Sequence, residues 1–320
     1  MRIINFPKIR DVYDLAREFG CSSDDLRKII SPELITDEGT VVVETEDISD
    51  TVKPAPPDVN GKKHGDNGDD MAKRFGGSKG DIVAKRFGGS KGDIVTLYRR
   101  MRIPKKNRKN SGRFRVVYMV LNPTLKLLQK NIATALKNTC DFPEYVQGFV
   151  QGKSIVTNAR HHLSKKSVLN LDIKDFFESI SYDKVIRVFE HIGCNLDVAS
   201  ILTKVCTIDG YLPQGTSTSP IIANLVCKGM DEELNDLATR YSVNFSRYAD
   251  DITFSGDVCP QREDIKAILE RNDFRLNNEK FILKKRGQNQ YVTGLTVFDA
   301  ESPRVPRKIK KRLRLILYGS

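Results

Sequence analysis

The feature that most constrains this chain is a pair of adjacent aspartates, Asp250 and Asp251, set between two short apolar and aromatic runs. Such runs, separated by a tight turn, predict a β-hairpin with both carboxylates at its tip. Adjacent carboxylates repel each other, and the apolar flanks compensate little of that charge, whereas metal cations would supply the compensation. The stretch Tyr248-Ala249-Asp250-Asp251 therefore predicts a cation site, although four residues alone do not establish one.

A third carboxylate, Asp172, ends a short apolar strand predicted at residues 167–173. Between this strand and the hairpin lies a turn rich in Gly, Pro, Ser and Thr, residues 212–220, which opens a long predicted helix. That long helix is predicted at 220–240, and further helices are predicted at 182–191 and 262–271. Three carboxylates beside two strands are the arrangement that two-metal nucleotidyl transfer uses.

This order of motifs resembles the reverse transcriptase family over about residues 98–316. The resemblance implies an α+β, right-hand polymerase fold with fingers, a ferredoxin-like palm and a short helical thumb. It also implies that Asp172, Asp250 and Asp251 are catalytic and bind two Mg²⁺ ions, which prefer carboxylate and phosphate oxygens. The alternative is three unrelated surface aspartates, which their shared placement beside apolar strands argues against.

Composition agrees with a nucleic-acid partner. The 320 residues carry a net charge of +12, which favours a polyanionic partner but also fits an ordinary basic protein. The six cysteines form no Cys-x-x-Cys pair, so we expect reduced thiols and a cytoplasmic protein. No apolar run of about 18 residues predicts a membrane helix, and the N-terminus lacks the apolar core of a signal peptide.

The chain divides into segments of different character. Residues 37–96 are charged, rich in Pro and Gly, and contain one run repeated without change at 72–83 and 84–95. Such composition predicts an insertion or flexible linker. The predicted domains are an N-terminal helical lead-in of two helices (1–36), that insertion (37–96), fingers (97–166), palm (167–297) and the start of an abbreviated thumb with one basic amphipathic helix (298–320).

The resemblance also implies a nucleotide pocket. Phe177 would place a ring beneath the incoming sugar and leave no room for a 2′-OH, unless it is simply a core residue. Arg115 is the first choice for the triphosphate because a guanidinium donates two parallel hydrogen bonds, and Lys280 could protonate the leaving pyrophosphate. Solvated basic residues are the alternative for both. The full predicted set is Lys106, Arg115, Phe177, Gln214, Gly215 and Lys280.

Two further motifs resemble the markers of retron reverse transcriptases, bacterial enzymes that make a branched RNA–DNA hybrid from their own noncoding RNA. One has the pattern Asn-Ala-x-x-His and the other is Val-Thr-Gly. The resemblance implies RNA recognition by Asn158, His162, Val292, Thr293 and Gly294. A buried, hydrogen-bonded histidine is the alternative for His162, and an ordinary strand and turn is the alternative for the second motif.

The resemblance thus implies an RNA-directed DNA polymerase primed from an internal guanosine 2′-OH, giving a branched RNA–DNA hybrid (msDNA) within an anti-phage retron. The implied partners are the cognate noncoding RNA, the RNA–DNA hybrid, dNTPs and an effector protein, with no membrane. Two alternatives stay open. One is a group II intron-like or other defence-associated reverse transcriptase. The other is a non-catalytic RNA-binding relative, which has no need of the three carboxylates.

Overall fold

The computed structural model describes residues 6–30, 41–43, 82–86, 94–104, 114–298 and 301–318. The chain forms two compact units. The smaller comprises residues 31–126, and the larger combines 1–30 with 127–320. The predicted triphosphate residue Lys106 lies outside the described residues.

The smaller unit contains an antiparallel sheet whose strands pair in chain order. The sequence predicts two strands within residues 98–106 and 112–117, on either side of a basic loop, and the third and fourth strands of this sheet overlap those segments. Its first two strands lie inside the predicted insertion, so these residues are sheet rather than linker. Their β-branched residues favour strands despite the surrounding Gly and Pro. The strands are Val41–Val43 (β1), Ile82–Arg86 (β2), Ile94–Pro104 (β3) and Phe114–Val120 (β4).

The predicted pair of N-terminal helices is confirmed as Val12–Phe19 (α1) and Ser23–Ile30 (α2). The first ends at Gly20, whose φ of 70° is a left-handed conformation that glycine adopts readily. The second begins with the Ser22 hydroxyl accepting a hydrogen bond from the Asp25 backbone N–H at 3.0 Å. Both helices bury apolar faces, formed by Leu15, Ala16, Phe19, Leu26 and Ile29.

The remaining described α-helices are Pro123–Thr139 (α3), Ile155–Arg160 (α4), Tyr182–His191 (α5), Leu196–Cys206 (α6), Ser219–Val226 (α7), Lys228–Arg240 (α8), Arg262–Arg271 (α9) and Arg307–Tyr318 (α10). The helices predicted at 182–191 and 262–271 are confirmed. The single helix predicted at 220–240 is two helices that meet at Cys227. Helix α6 escaped prediction, although its cap was readable: the Asn195 side chain accepts a hydrogen bond from the Val198 N–H at 2.9 Å.

The larger unit is built on a second antiparallel sheet of order β6-β7-β5-β8. Its central strands are buried along most of their length, so the carboxylates at their ends emerge from a packed core. The strands are Ser167–Asp172 (β5), Asn244–Tyr248 (β6), Asp251–Gly256 (β7) and Ile282–Lys285 (β8), followed by a small hairpin of Tyr291–Val292 (β9) and Leu295–Thr296 (β10).

The fold is therefore mixed α and β with antiparallel sheets, in coarse agreement with the predicted class. The division into fingers, palm and thumb stays a prediction. No helix among the described residues is long and apolar enough to cross a bilayer.

Candidate active site

The three predicted catalytic aspartates meet at one end of the central strands in the sheet of the larger unit. The pairing of β5 with β7 sets Asp172 directly opposite Asp251. Because β6 and β7 pair up to Tyr248 and Asp251, only Ala249 and Asp250 form the turn of the hairpin. The Asp250 carbonyl accepts a hydrogen bond from the Ile173 N–H at 2.9 Å, which ties this turn to the end of β5. The predicted acidic hairpin beside a strand-end carboxylate is confirmed.

Negative charge is concentrated at this end of the strands. Asp172 is only 3% exposed, Asp250 is partly buried, and Asp251 reaches solvent. Burial, and then the negative charge of Asp172, raise the pKa of the Asp250 carboxyl. Crowding of the Asp251 carboxyl by protein, and then the charges of Asp250 and Asp172, raise its pKa to about 6. Raised values mean that the negative charges are incompletely compensated, which is the property expected of a cation site.

Two side chains from the segment before β8 hold Asp172. The Lys280 ammonium donates a hydrogen bond to Asp172 Oδ2, and the Asn277 amide donates one to Oδ1 at 2.9 Å. Partial burial alone would lower the pKa of Lys280, but the hydrogen bond to Asp172 and the neighbouring carboxylates outweigh it and raise that pKa. Lys280 is therefore a protonated cation beside the carboxylates. Asn277 was not predicted as a site residue.

The carboxylates suit a metal ion in chemistry, although they are not drawn into a finished cage. Within the described part of the chain, no three acidic, histidine or cysteine side chains are close enough together to hold an ion as they stand. Asp172 instead pairs with the Lys280 ammonium. Oxygen donors of this kind, gathered at one end of the strands and repelling each other, fit a hard divalent cation such as Mg²⁺.

The two adjacent phenylalanines after β5 have different surroundings. Phe176 is buried and stacks on Phe274 with ring centroids 6.1 Å apart, so it is a core residue. Phe177 is partly exposed and lies 5.3 Å from Phe176 and 6.4 Å from Phe149, centroid to centroid. Phe177 therefore borders the surface, as a nucleotide-contacting ring must. Phe149 beside it was missed, because its contact joins segments that are distant in sequence.

The other predicted nucleotide residues fall in two places. Gln214 and Gly215 lie in the turn before α7, and Gly215 has a φ of 108°, which few residues other than glycine adopt. Arg115 is exposed on β4 in the smaller unit. Lys280 reaches the carboxylates through its hydrogen bond to Asp172.

The two motifs predicted to recognise RNA come together. The Asn158 amide lies 3.4 Å from Thr293 Oγ1, and Thr293 Oγ1 in turn donates to the Ile155 carbonyl at 3.1 Å. Val292 packs in one core cluster with Ala159 beside these contacts. Thr293 and Gly294, with φ values of 45° and 81°, form the two-residue turn between β9 and β10. Helix α4 and this hairpin thus form one structural element.

His162 is buried and has no exposed surface. Its two ring nitrogens lie 2.7 Å from the hydroxyls of Ser246 on β6 and Ser255 on β7. Burial, and then the charge of neighbouring His161, lower its pKa to about 3. The observed role is that of the buried, hydrogen-bonded histidine given as the alternative. The side chain fastens two strands and does not reach the surface to contact RNA.

Comparison with known proteins agrees with this geometry. Residues 103–289 match the family model described as reverse transcriptase (RNA-dependent DNA polymerase). The chain is 34% identical to the retron Mx65 reverse transcriptase of Myxococcus xanthus, over 66% of this chain and 54% of that protein. It is 31% identical to the retron Ec86 reverse transcriptase of Escherichia coli, over 68% of each chain. It is 33% identical to the retron Ec48 reverse transcriptase of Escherichia coli, over 66% of this chain and 56% of that protein. The chain spans between about half and two thirds of the length of these relatives.

Replacement of His162 by Gln should reduce the acid sensitivity of the fold. The unfolded chain binds a proton below the ordinary histidine pKa, near 6.5, whereas the folded protein binds it only near pH 3. Stability from the neutral ring is therefore fully present above about pH 6.5 and is lost as pH falls. By pH 4.5 the wild type should lose about 2–3 kcal/mol more than His162→Gln, relative to pH 7.

The measurement is urea unfolding at both pH values. His191 is exposed on α5, so His191→Gln is the matched control and should keep the wild-type pH dependence. Parallel pH profiles for His162→Gln and the wild type would contradict the assignment.

Proposed function

Because the chain belongs to the reverse transcriptase family, in its retron-type branch, we propose that it is an RNA-directed DNA polymerase. The observation that carries this proposal is the register that sets Asp172 opposite Asp251 and beside Asp250. The reaction is attack of a primer hydroxyl on the α-phosphate of a dNTP, with release of pyrophosphate. We assign residues 97–166 to the fingers, residues 167–297, which carry the carboxylates, to the palm, and residues 298–320, with α10, to the start of the thumb.

The proposed cofactor is a pair of Mg²⁺ ions held by Asp172, Asp250 and Asp251. Such ions, when bound, activate the attacking oxygen and neutralise charge on the leaving group. Support comes from the donor set and from the raised pKa values of Asp250 and Asp251, since incompletely compensated carboxylates bind cations well. Asn277 holds one oxygen of Asp172 and so fixes the plane of that carboxylate.

Lys280 is the proposed proton donor to the leaving pyrophosphate. Its ammonium is within hydrogen-bonding reach of Asp172, and its pKa is raised, so it carries a proton at neutral pH. A group that serves as an acid must be protonated and adjacent to the reacting atoms. Both conditions hold for Lys280 once the triphosphate lies against the carboxylates.

The proposed nucleotide pocket surrounds Phe177. Its partly exposed ring rests on Phe176, which is fixed in the core by Phe274. Because this packing restricts movement of the Phe177 ring, the ring can exclude a 2′-OH by steric conflict. Gln214 and Gly215 are proposed to line the same pocket, and Arg115 and Lys106 to hold the triphosphate.

The proposed template is a cognate noncoding RNA, with an internal guanosine 2′-OH as primer and msDNA as product. The relatives are retron reverse transcriptases by name, which supports a retron role for this chain. The α4–hairpin element is proposed to meet that RNA through the exposed turn at Gly294, with Val292 and Asn158 holding the turn from within. An effector protein and an anti-phage role complete the proposal.

Asp250→Asn is the test of the polymerase assignment. Loss of a metal-binding carboxylate should remove several kcal/mol of transition-state stabilisation, so dNTP incorporation on a primed RNA template should fall about 1000-fold or more. RNA binding should persist, because basic groups rather than carboxylates hold phosphates. The control is Asp257→Asn, which neutralises an exposed aspartate just beyond β7 that pairs with surface Lys166. Near-normal dNTP incorporation by Asp250→Asn would contradict the two-metal assignment.

Phe177→Ala should admit ribonucleotides. Removal of the ring opens space for the 2′-OH, so the preference for dNTP over rNTP in kcat/KM should fall about 10- to 100-fold. The matched control is Phe298→Ala, which removes an exposed ring after β10. Discrimination as strong as in the wild type would mean that another residue excludes the 2′-OH.

Thr293→Val should separate two activities. The change keeps side-chain shape but removes the hydroxyl that joins Asn158 to the Ile155 carbonyl. DNA synthesis primed on RNA transcribed from the region beside the gene should fall about tenfold or more, as loss of this hydrogen-bond link permits. Extension of an annealed primer should persist, and debranching enzyme should release linear DNA from wild-type product.

Thr239→Val, an exposed helical position, is the control for Thr293→Val. Equal loss in both assays would mean that Thr293 serves the fold or the chemistry. A wild-type product unchanged by debranching enzyme would count against priming from a 2′-OH and leave the polymerase assignment intact.

A further inference from the structure

We infer that a buried unit behind the catalytic turn, formed by Gly148, Asn224, Asp231 and Arg247, positions Asp250 and Asp251 for the reaction. We call this set the turn support. The inference rests on the proposed function, because it concerns how the same site is held. The four residues touch the turn backbone or each other and lie outside the predicted catalytic set.

Arg247 is the centre of the turn support. Its guanidinium is fully buried and donates two hydrogen bonds of 2.6 Å, from Nε and Nη2, to the two carboxylate oxygens of Asp231. The remaining nitrogen, Nη1, donates to Asn224 Oδ1 and to the carbonyl of Ala249, each at 3.1 Å. One side chain thus connects helix α8, helix α7 and the turn that carries Asp250.

Gly148 closes the support from the other side. The Asn224 amide donates to the Gly148 carbonyl at 2.9 Å, and the Gln147 N–H donates to the Arg247 carbonyl at 2.8 Å. The segment therefore runs along the end of β6, where Val146 and Arg247 form a parallel bridge. A Cβ atom added at Gly148 would stand 2.3 Å from the Ala249 backbone nitrogen. The turn is held against a surface that leaves no room for a methyl group.

The turn needs such support because its conformation is strained. Ala249 has a φ of 58°, in the left-handed region that disfavours residues with a Cβ. Strained backbone of this kind persists only where its surroundings determine it strongly. Three contacts do so here: Arg247 binds the Ala249 carbonyl, Gly148 packs against the Ala249 nitrogen, and Ile173 binds the Asp250 carbonyl.

Stability alone does not account for the buried ion pair. Desolvation of two charges offsets most of their attraction, so a pair such as Arg247–Asp231 adds little net stability over apolar residues of similar size. Apolar residues could not, however, donate a hydrogen bond to a turn carbonyl. What the ion pair provides is orientation. Asp231 holds the Arg247 guanidinium so that its Nη1 can donate a hydrogen bond to the Ala249 carbonyl in the turn.

The test is Gly148→Ala, with Gly229→Ala as the matched control. Gly229 lies in the first turn of α8, and the contact that an added Cβ there would make within 4 Å in the described structure is with Asn272 Oδ1, at 3.8 Å. The added methyl at residue 148 must displace the turn by about 1 Å to reach normal contact, and a displacement of that size costs about 100-fold in rate. We expect kcat for dNTP incorporation on a primed RNA template to fall about 100-fold, and the Mn²⁺ concentration for half-maximal binding to rise about tenfold.

Mn²⁺ binding is followed by electron paramagnetic resonance, and folding by circular dichroism well below the unfolding temperature. Arg247→Lys is the second variant, because a lysine can pair with Asp231 but cannot also reach Asn224 and the Ala249 carbonyl. It should show the same loss of kcat and weaker Mn²⁺ binding. The inference holds if either folded variant behaves in this way and Gly229→Ala matches the wild type. It is overturned if the folded variants keep wild-type kcat and Mn²⁺ affinity. A wild type that neither binds Mn²⁺ nor incorporates dNTP would instead overturn the proposed function and, with it, this inference.

Discussion

Repulsion among three carboxylates at one end of the central strands is the constraint on which the rest of the site depends. The pairing of β5 with β7 forces Asp172 and Asp251 to face each other, and a slip of one residue would send Asp251 to the opposite face of the sheet. Burial, and then the charges of Asp250 and Asp172, raise the pKa of Asp251. Neighbouring side chains compensate part of this negative charge, since Lys280 and Asn277, in the segment before β8, donate hydrogen bonds to Asp172.

The features that the sequence predicts are those encoded over short distances. The acidic hairpin follows from a few adjacent residues, and the basic helix α10, Arg307–Tyr318, follows from its repeating apolar and charged positions. The break between α7 and α8 at Cys227 was not predicted, because a short interruption between two helices leaves the apolar pattern around it almost unchanged. The strands at 41–43 and 82–86 were also obscured, since the Gly- and Pro-rich surroundings outweighed their β-branched residues.

Contacts between segments that are distant in the chain leave no such local pattern in the sequence. Phe149 meets Phe177 near the surface, and Gly148 meets the Ala249–Asp250 turn about a hundred residues further along the chain. Nothing in the local sequence around Gly148 marks that approach. His162 illustrates the same limit for motifs, because its pattern resembles an RNA-recognition marker while its ring nitrogens bind two buried serines. A short motif can indicate that a residue is important without indicating which groups that residue contacts.

The same arrangement weighs against a protein that only binds RNA. Binding a phosphate backbone calls for cations at the surface, as on the exposed basic face of α10. Three carboxylates at one end of the strands would oppose it, and a strained turn at Ala249 would add cost without benefit. The proposed cation site gives both features a role, because cations would compensate the carboxylates and the buried Arg247–Asp231 pair holds the turn that carries Asp250.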